Sequence, residues 1–332
     1  MSRATFIFLI FALVACGERN LPGITPSIEI APAEVPLQNP TELKRSLKAT
    51  VLEHYSQLTL SNLDAYVDAF PKNTDIEILG VQPEMEFAGN SDALTIEDPR
   101  FFKDKHPQLL AKNLEVRVIA GTSIGWVYDE ISYRVSHGEH LASLPIRRSG
   151  VYRYRGGRWL LLQEHWSYPA APGTITALFE NDSLENPVVP KALADGLETH
   201  VQGVSRTVNR FNKRPKRDAL ISSESPLLIS LGLESEFRGP PPRVARFFGP
   251  KARIKIRGLR IHVDASAKAA WVSASLQIGN ALGSNNGQRI PLRATYVLVR
   301  SESGAWRFQH MHISSALTET QLMDLILGET VK

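Results

Sequence analysis

Apolar residues recur along this 332-residue chain with changing period, and each period dictates a different element. Residues 6–12 form an uninterrupted apolar run that follows one cation, Arg3, and leads into Leu13-Val14-Ala15-Cys16-Gly17. A membrane-spanning helix takes about 20 apolar residues, so this shorter run reads as a secretion signal. Residues 17–40 carry prolines at 22, 26, 32, 36 and 40 and few large apolar side chains, which is the pattern of an extended tether. Helical spacing begins at Asn39-Pro40-Thr41-Glu42. Asn39 can cap, proline suits the first helical position, and Glu42 is placed to reach back to the cap. Leu43, Leu47, Val51, Tyr55 and Leu58 then define one apolar stripe. Ser61 opens a second helix with Leu63, Tyr66, Val67 and Phe70 on its buried side, stopped by Pro71.

Beyond residue 113 the spacing shortens to the alternation of strands. Residues 114–120, 125–135, 147–155 and 158–167 are strand-like, with Gly156-Gly157 as a two-residue hairpin turn. Near the C-terminus Thr318 and Gln321 make a capping box, and Leu322, Leu325 and Ile326 give residues 318–332 one apolar side, the pattern of a closing helix.

The pattern occurs twice. Pro190, Leu193, Leu197, Val201 and Val208 follow Pro40, Leu43, Leu47, Val51 and Leu58 at an interval of 150 residues. Glu84-x-Glu86-Phe87-x-Gly89 recurs as Glu234-x-Glu236-Phe237-x-Gly239, Arg100-Phe101-Phe102 as Arg246-Phe247-Phe248, and Trp126-Val127 as Trp271-Val272. Arg148 through Val151-Tyr152, Trp159 and His165-Trp166-Ser167 answer to Arg293 through Tyr296-Val297, Trp306 and His312-Ile313-Ser314. This reads as an internal duplication of a unit of ordinary domain size. The organisation expected is a signal over 1–15, a tether over 16–40, a first domain over 41–170, a linker over 171–190, a second domain over 191–317 and a C-terminal helix over 318–332. Strand alternation then puts Trp306, Phe308, His310 and His312 inside the second copy, and Trp159, Leu161, Gln163 and His165 inside the first. The opposite face, Leu160, Leu162, Glu164 and Trp166, is too apolar for open water, and we expect the other domain or the linker after Tyr168 to cover it.

Composition sharpens this. At 43% hydrophobic and 22% charged the chain is globular, and Cys16 is its only cysteine, so packing alone must hold the domains. The formal charge of +4 conceals an asymmetry: residues 1–190 hold 17 Lys and Arg against 23 Asp and Glu, whereas residues 191–332 hold 21 against 11. A cationic second domain on a secreted chain suits an anionic envelope surface or an acidic protein better than nucleic acid.

The Leu-x-Ala-Cys ending at Cys16 resembles the lipobox of bacterial lipoproteins. That resemblance implies cleavage before Cys16, lipid attachment (palmitate included) at its sulfur, and a bilayer anchor. Gly17, in place of Asp, favours the outer membrane, facing the periplasm. The run Arg-Ser-Gly-Val-Tyr-Arg-Tyr-Arg-Gly-Gly-Arg-Trp-Leu-Leu-Leu-Gln-Glu-His-Trp-Ser, with its Arg before the penultimate strand, Gly-Trp hairpin and His-x-Ser, resembles the SnoaL-like group of the NTF2-like superfamily. The resemblance covers both copies and implies an α+β fold: two tandem cones, each a curved antiparallel sheet wrapped around N-terminal helices, often with a pocket at the open end. Such a fold hosts isomerases, cyclases, dehydratases, transport factors and assembly domains, so it does not choose a function.

Candidate chemistry is sparse. His165 and His312 can move protons near neutral pH, although a His two residues before a Ser on one strand face commonly satisfies internal hydrogen bonds. Arg148 and Arg293 can anchor a pocket anion or pair with an acid such as Glu86 or Glu236, and Trp159 can line the pocket. Relatives of ketosteroid isomerase use a carboxylate and a tyrosine; Tyr55 with Asp75 or Glu77 could supply both in the first copy. The second copy has Ser205, Leu227 and Leu228 there instead. His310-x-His312 and the His137/His140 pair lack an evident third ligand, so no metal is expected, and no nucleotide fingerprint, phosphate loop or nucleophile elbow calls for a cofactor. Three functions fit: a membrane-anchored, non-enzymatic lipoprotein binding a small apolar ligand or an envelope partner; an isomerase-like enzyme with its pocket in the first domain; or an assembly protein that pairs its sheets.

Overall fold

The computed structural model describes residues 25–27, 39–82, 86–94, 108–137, 140–169, 193–195, 198–211, 220–223, 226–229, 236–238, 253–279, 289–317 and 321. Helix α1 (Pro40–Thr59) starts as its sequence requires, with the Asn39 side chain accepting from the Thr41 N–H and proline at the first position. It buries Leu43, Leu47, Val51, Tyr55 and Leu58, and also His54. Ser61 takes a left-handed conformation, φ 59°, so Asn62 caps the short helix α2 (Leu63–Val67) one residue later than expected.

Strands β2 (Asp75–Leu79), β3 (Glu86–Asn90), β4 (Gln108–Ala111), β5 (Glu115–Val118), β6 (Ile124–His137), β7 (His140–Arg155) and β8 (Arg158–Ser167) make one sheet. Its order is β3-β2-β8-β7-β6-β4, with β5 also on β6. Gly156 and Gly157 both have positive φ, 59° and 83°, as the tight β7–β8 turn demands. The second sheet contains β1 (Thr25–Ser27), β9 (Leu193–Asp195), β10 (Leu227–Ile229), β11 (Glu236–Arg238), β12 (Arg253–Val263), β13 (Ala269–Gly279), β14 (Arg289–Arg300) and β15 (Trp306–Ser314), with α3 (Glu198–Phe211) beside it. The fold is thus the expected α+β architecture of two cones. Each sheet is antiparallel apart from the β2–β8, β10–β15 and β1–β9–β12 pairings, which are parallel.

Two departures from the sequence reading matter for function. In β8 Leu161 pairs with Tyr152 and Gln163 with Val151, so Leu162 is an extra, bulged residue; Gln309 is the corresponding extra residue in β15. A bulge inverts the alternation beyond it. Trp159 and Leu161 therefore face α1, with Trp159 Nε1 donating to Ser46 Oγ at 2.9 Å, but Gln163 and His165 face the other sheet. Trp306 and Phe308 likewise face α3, while His310 and His312 face away. Glu164 and Trp166, placed outside by simple alternation, point into the first cone. The second departure concerns the tether: Thr25–Ser27 lie within it, yet pair in parallel with β9 at the edge of the second sheet. The closing helix expected over 318–332 lies outside the described residues, apart from the buried Gln321.

The two sheets pack face to face within the one chain. An apolar layer of Ile124, Trp126, Tyr128, Val151 and Leu162 meets Leu227, Ile229, Trp271 and Val297, so the opposite face of the first sheet is covered by the other domain. At its centre the rings of His165 and His312 stack 3.9 Å apart. His165 bonds Thr295 Oγ1 at 3.2 Å and Ser314 Oγ at 2.8 Å; His312 bonds Ser149 Oγ at 2.9 Å and Ser167 Oγ at 2.7 Å. Ser149 lies opposite His165 in its own sheet, as Thr295 lies opposite His312. The contacts are therefore reciprocal, the signature of an isologous two-fold interface, here built from two halves of one polypeptide. Register also corrects the repeat by one residue: Arg147 opposite Ser167 corresponds to Arg293 opposite Ser314, which leaves Ala294 as the counterpart of Arg148.

Candidate functional site

Three adjacent strands of the first sheet place Asp129, Arg148 and Trp166 in one cross-strand row facing the interior. Helix α1 lays Tyr55 and His54 over that row, and α2 brings Tyr66. All are buried. Arg148 is the hub. Its Nε and Nη2 donate to the Glu164 carboxylate, Nη2 also donates to the Tyr152 hydroxyl at 2.7 Å, and its guanidinium carbon lies 5.1 Å from the Tyr55 ring centre and 5.4 Å from that of Trp166. Tyr66 donates to the other Glu164 oxygen, and the Tyr152 hydroxyl reaches His54 Nδ1 at 3.2 Å. Gly150 makes room for this arrangement, because a Cβ there would lie 2.9 Å from the Tyr152 ring.

The electrostatics follow from burial. Desolvation pulls Arg148 down, but Glu164, Tyr152 and Tyr55 more than offset it, so the guanidinium stays charged. Burial, then the nearby Arg148 charge, lowers His54 to about 3, which keeps the imidazole neutral. Burial raises Tyr55 and Tyr66, and pushes Tyr152 up to about 12. Asp129 is raised to about 6 by desolvation, against the opposing pull of the Asn113 N–H, which donates to it at 2.9 Å. The Arg148 charge and the nearby Tyr55 hydroxyl also pull it down.

Four polar atoms are left over. Tyr55 OH, Asp129 Oδ2, Arg148 Nη1 and Trp166 Nε1 are buried with no hydrogen-bond partner among the described residues. An unsatisfied buried polar atom costs about 1–3 kcal/mol, more for a charged group, so these four, three on the row and one on the helix above it, single it out as the candidate site. The second domain differs at each position. Its equivalent is Ala274, Ala294 and Ile313, Met311 stands for Glu164, and Tyr296 fills the position of Gly150 and packs 5.2 Å from the Phe308 ring centre. Among the described residues, the equivalent row is apolar.

Of the residues singled out from sequence, Tyr55 and Arg148 belong to this site. Trp159 packs against α1 in the core. Asp75 starts β2 opposite Asn90, half-buried and away from the row. Glu77 points to the second sheet, where it accepts from Gln163 at 3.0 Å and from Ser273 and lies 3.5 Å from Arg260 Nε; burial raises its pKa. His165 and His312 sit in the domain interface with their ring nitrogens bonded to hydroxyls, both held well below the ordinary histidine value by burial and nearby cations, so neither becomes charged near neutrality. Arg293 ties the domains together: it donates to Glu86 at 2.6 Å, to the Trp166 carbonyl at 3.2 Å and to the Gly80 carbonyl. Glu86 is thus the partner of Arg293 and Glu164 that of Arg148. Both ring nitrogens of His310 and His312 are engaged by protein groups. The His137 and His140 side chains lie outside the described residues. No cluster of three metal-binding side chains occurs among the described residues.

Comparison with known families adds the decisive observation. The sequence profile of the SnoaL-like domain matches residues 47–171 and 242–318, more than half of the chain and parts of both halves. The chain belongs to the SnoaL-like family. A search of curated proteins finds no match. Solved structures similar to this SnoaL-like chain include an NTF2-like family protein from Streptomyces avermitilis described as a candidate dehydratase (12% identity, 40% of this chain, 100% of that one, TM-score 0.35). Others are an NTF2-like protein with a cystatin-like fold from Novosphingobium aromaticivorans (8%, 42%, 90%, 0.33) and the association domain of C. elegans CaMKII (15%, 39%, 97%, 0.32). Within this SnoaL-like chain, sequence reasoning missed Asp129, His54, Glu164, Tyr66 and Tyr152. Glu164 carried a usable signal: an acid inside the apolar run 159–166 must be paired if buried. Asp129 carried none, because its exposure depended on a register that the sequence leaves open.

Proposed function

We propose that this SnoaL-like protein is a lipid-anchored envelope protein whose first domain binds a small molecule and whose second domain is a filled, supporting copy. The observation that carries the reading is the row of unpartnered buried atoms in the first domain and its replacement by Ala274, Ala294 and Ile313 in the second. Arg148 Nη1 and Trp166 Nε1 are donors without acceptors, and the Tyr55 and Trp166 rings supply apolar walls. The fitting ligand has an apolar body and one oxygen-bearing end. The anchor, Cys16 in the outer membrane facing the periplasm, rests on the lipobox-like ending and is supported by the proline-rich stretch after it. Native mass spectrometry of the chain purified from its own host tests the pocket. A co-purifying small mass that is lost in Tyr55→Phe is expected. Preparations free of any such mass, or a Tyr55→Phe variant that retains it fully, would refute the reading.

One observation favours a second reading, in which the pocket also performs acid–base chemistry. A carboxyl raised to about 6 beside a tyrosine can exchange protons near neutral pH, and Asp129 is in that position. Turnover that follows one ionisation near pH 6 and vanishes in Asp129→Asn would support it; binding that persists in Asp129→Asn with no reaction would leave only the receptor role.

A further inference from the structure

The N-terminal strand gives the anchor a direction. Thr25 begins β1 nine residues after Cys16, and it pairs with Leu193 of β9. Ala194 of β9 in turn pairs with Ile261 of β12, and all three strands run parallel. Parallel pairing points the N-terminal end of β1 toward the Arg253 end of β12. That end of the sheet is cationic. Lys255 and Arg257 on β12 and Arg289 on β14 are exposed, and none of them has an acidic partner among the described residues. Lys255 lies opposite Gln277, and Arg257 donates to Gln277 Oε1 at 2.7 Å, which groups the two on one face.

We propose that this end of the second domain docks on an anionic phospholipid surface, the bilayer that holds Cys16. The proposal rests on the lipid-anchor reading above. Nine extended residues span at most about 30 Å, so an anchored Cys16 keeps these cations close to the headgroups. Headgroup attraction fades over about 8 Å at physiological salt, so a link of only nine residues is what lets the charges act. Lipid charge is the partner that fits, because the chain already delivers this edge to a bilayer, whereas nothing aims it at an acidic protein. Each cation held at the surface strengthens partitioning about fivefold, and three together on the order of 100-fold. Docking would fix how the first domain's pocket sits above the membrane.

The test uses the mature chain, residues 16–332, carrying Cys16→Ser, so that lipid attachment plays no part. Sedimentation with vesicles of phosphatidylcholine alone and of phosphatidylcholine mixed with phosphatidylglycerol reads the partition ratio. Binding only to the anionic vesicles, weakened by salt, is expected. Lys255→Gln, Arg257→Gln and Arg289→Gln combined should lower it on the order of 100-fold, each alone about fivefold, so single variants suffice if the combination misfolds. The matched pair Arg206→Gln and Arg210→Gln, exposed on α3, should change it less than about twofold. Equal binding to both vesicle types, or equal loss from the α3 pair, overturns the proposal. Failure of the anchor is read separately, from membrane fractionation of wild type against Cys16→Ser in cells: wild type in the soluble fraction would remove the anchor without touching the vesicle result.

Discussion

Replacing Arg148 by methionine isolates what the buried hub contributes. The substitution keeps a long apolar stem but removes the donors to Glu164 and Tyr152 and the charge between the Tyr55 and Trp166 rings. Glu164, fully buried, then keeps only the Tyr66 hydroxyl as a partner. Removing one member of a buried ion pair costs about 3–5 kcal/mol, mostly because the other charge is left unpaired. Replacing both members by apolar residues of similar size is often neutral, and the second domain has adopted that solution with Ala294 and Met311. Arg148→Met should therefore lose about 3–5 kcal/mol, and Arg148→Met with Glu164→Met should return to within about 1–2 kcal/mol of wild type. Urea unfolding, followed by both circular dichroism and tryptophan fluorescence to establish a single transition, measures the difference. A loss below about 1 kcal/mol for the single variant, or a double variant worse than the single, would refute the buried hub.

Further outcomes follow from the interface and the bulges. His165, His310, His312, His262 and His54 are buried with lowered pKa values, so the folded state binds fewer protons than the unfolded one below pH 6.5. Stability is complete above that pH and falls as pH drops, by up to about 1.4 kcal/mol per pH unit per histidine. Asp129 opposes this weakly, since its raised pKa contributes stability below about 4 that is lost as pH rises through about 6. Denaturation midpoints between pH 7 and 4 check the net fall, and a flat profile would contradict the neutral histidine core. Arg293→Met should cost about 3–5 kcal/mol in the same urea assay, because Glu86 and three carbonyls lose their donor. Deleting Leu162 should abolish soluble expression, because it would turn Gln163 and His165 into the apolar cone and Glu164 out of it. A soluble deletion variant with native circular dichroism would show that the bulge is dispensable.

Much of the fold was legible because it depends on local signals. Asn39-Pro40 marks a helix start, Gly156-Gly157 gives the positive φ of a tight turn without strain, and the recurrence of Trp126 and Trp159 as Trp271 and Trp306 records the duplication. The site was less legible because it depends on register. Strand alternation is a strict two-residue rule, and one extra residue, Leu162 or Gln309, reverses every side chain after it without any mark in composition. That single displacement exchanged His165 for Glu164 and Trp166 in the interior. It also explains why two histidines that resemble catalytic groups in the sequence are the centre of an interface. Tyr55 and Arg148 were recoverable, since a helical stripe and an Arg before a hairpin do not cross a bulge. The acid that completes the site, Asp129, comes from a strand whose facing could be read only after pairing was known.

The most direct measurement is an experimental electron-density map of the protein purified from its own host, at a resolution that shows ordered solvent. The expected result is a bound molecule in the first domain, with an oxygen within hydrogen-bond distance of Arg148 Nη1 and Trp166 Nε1, and an apolar second domain with nothing bound. A row in which Tyr55, Asp129, Arg148 and Trp166 bond only to one another, around no bound species, would contradict it.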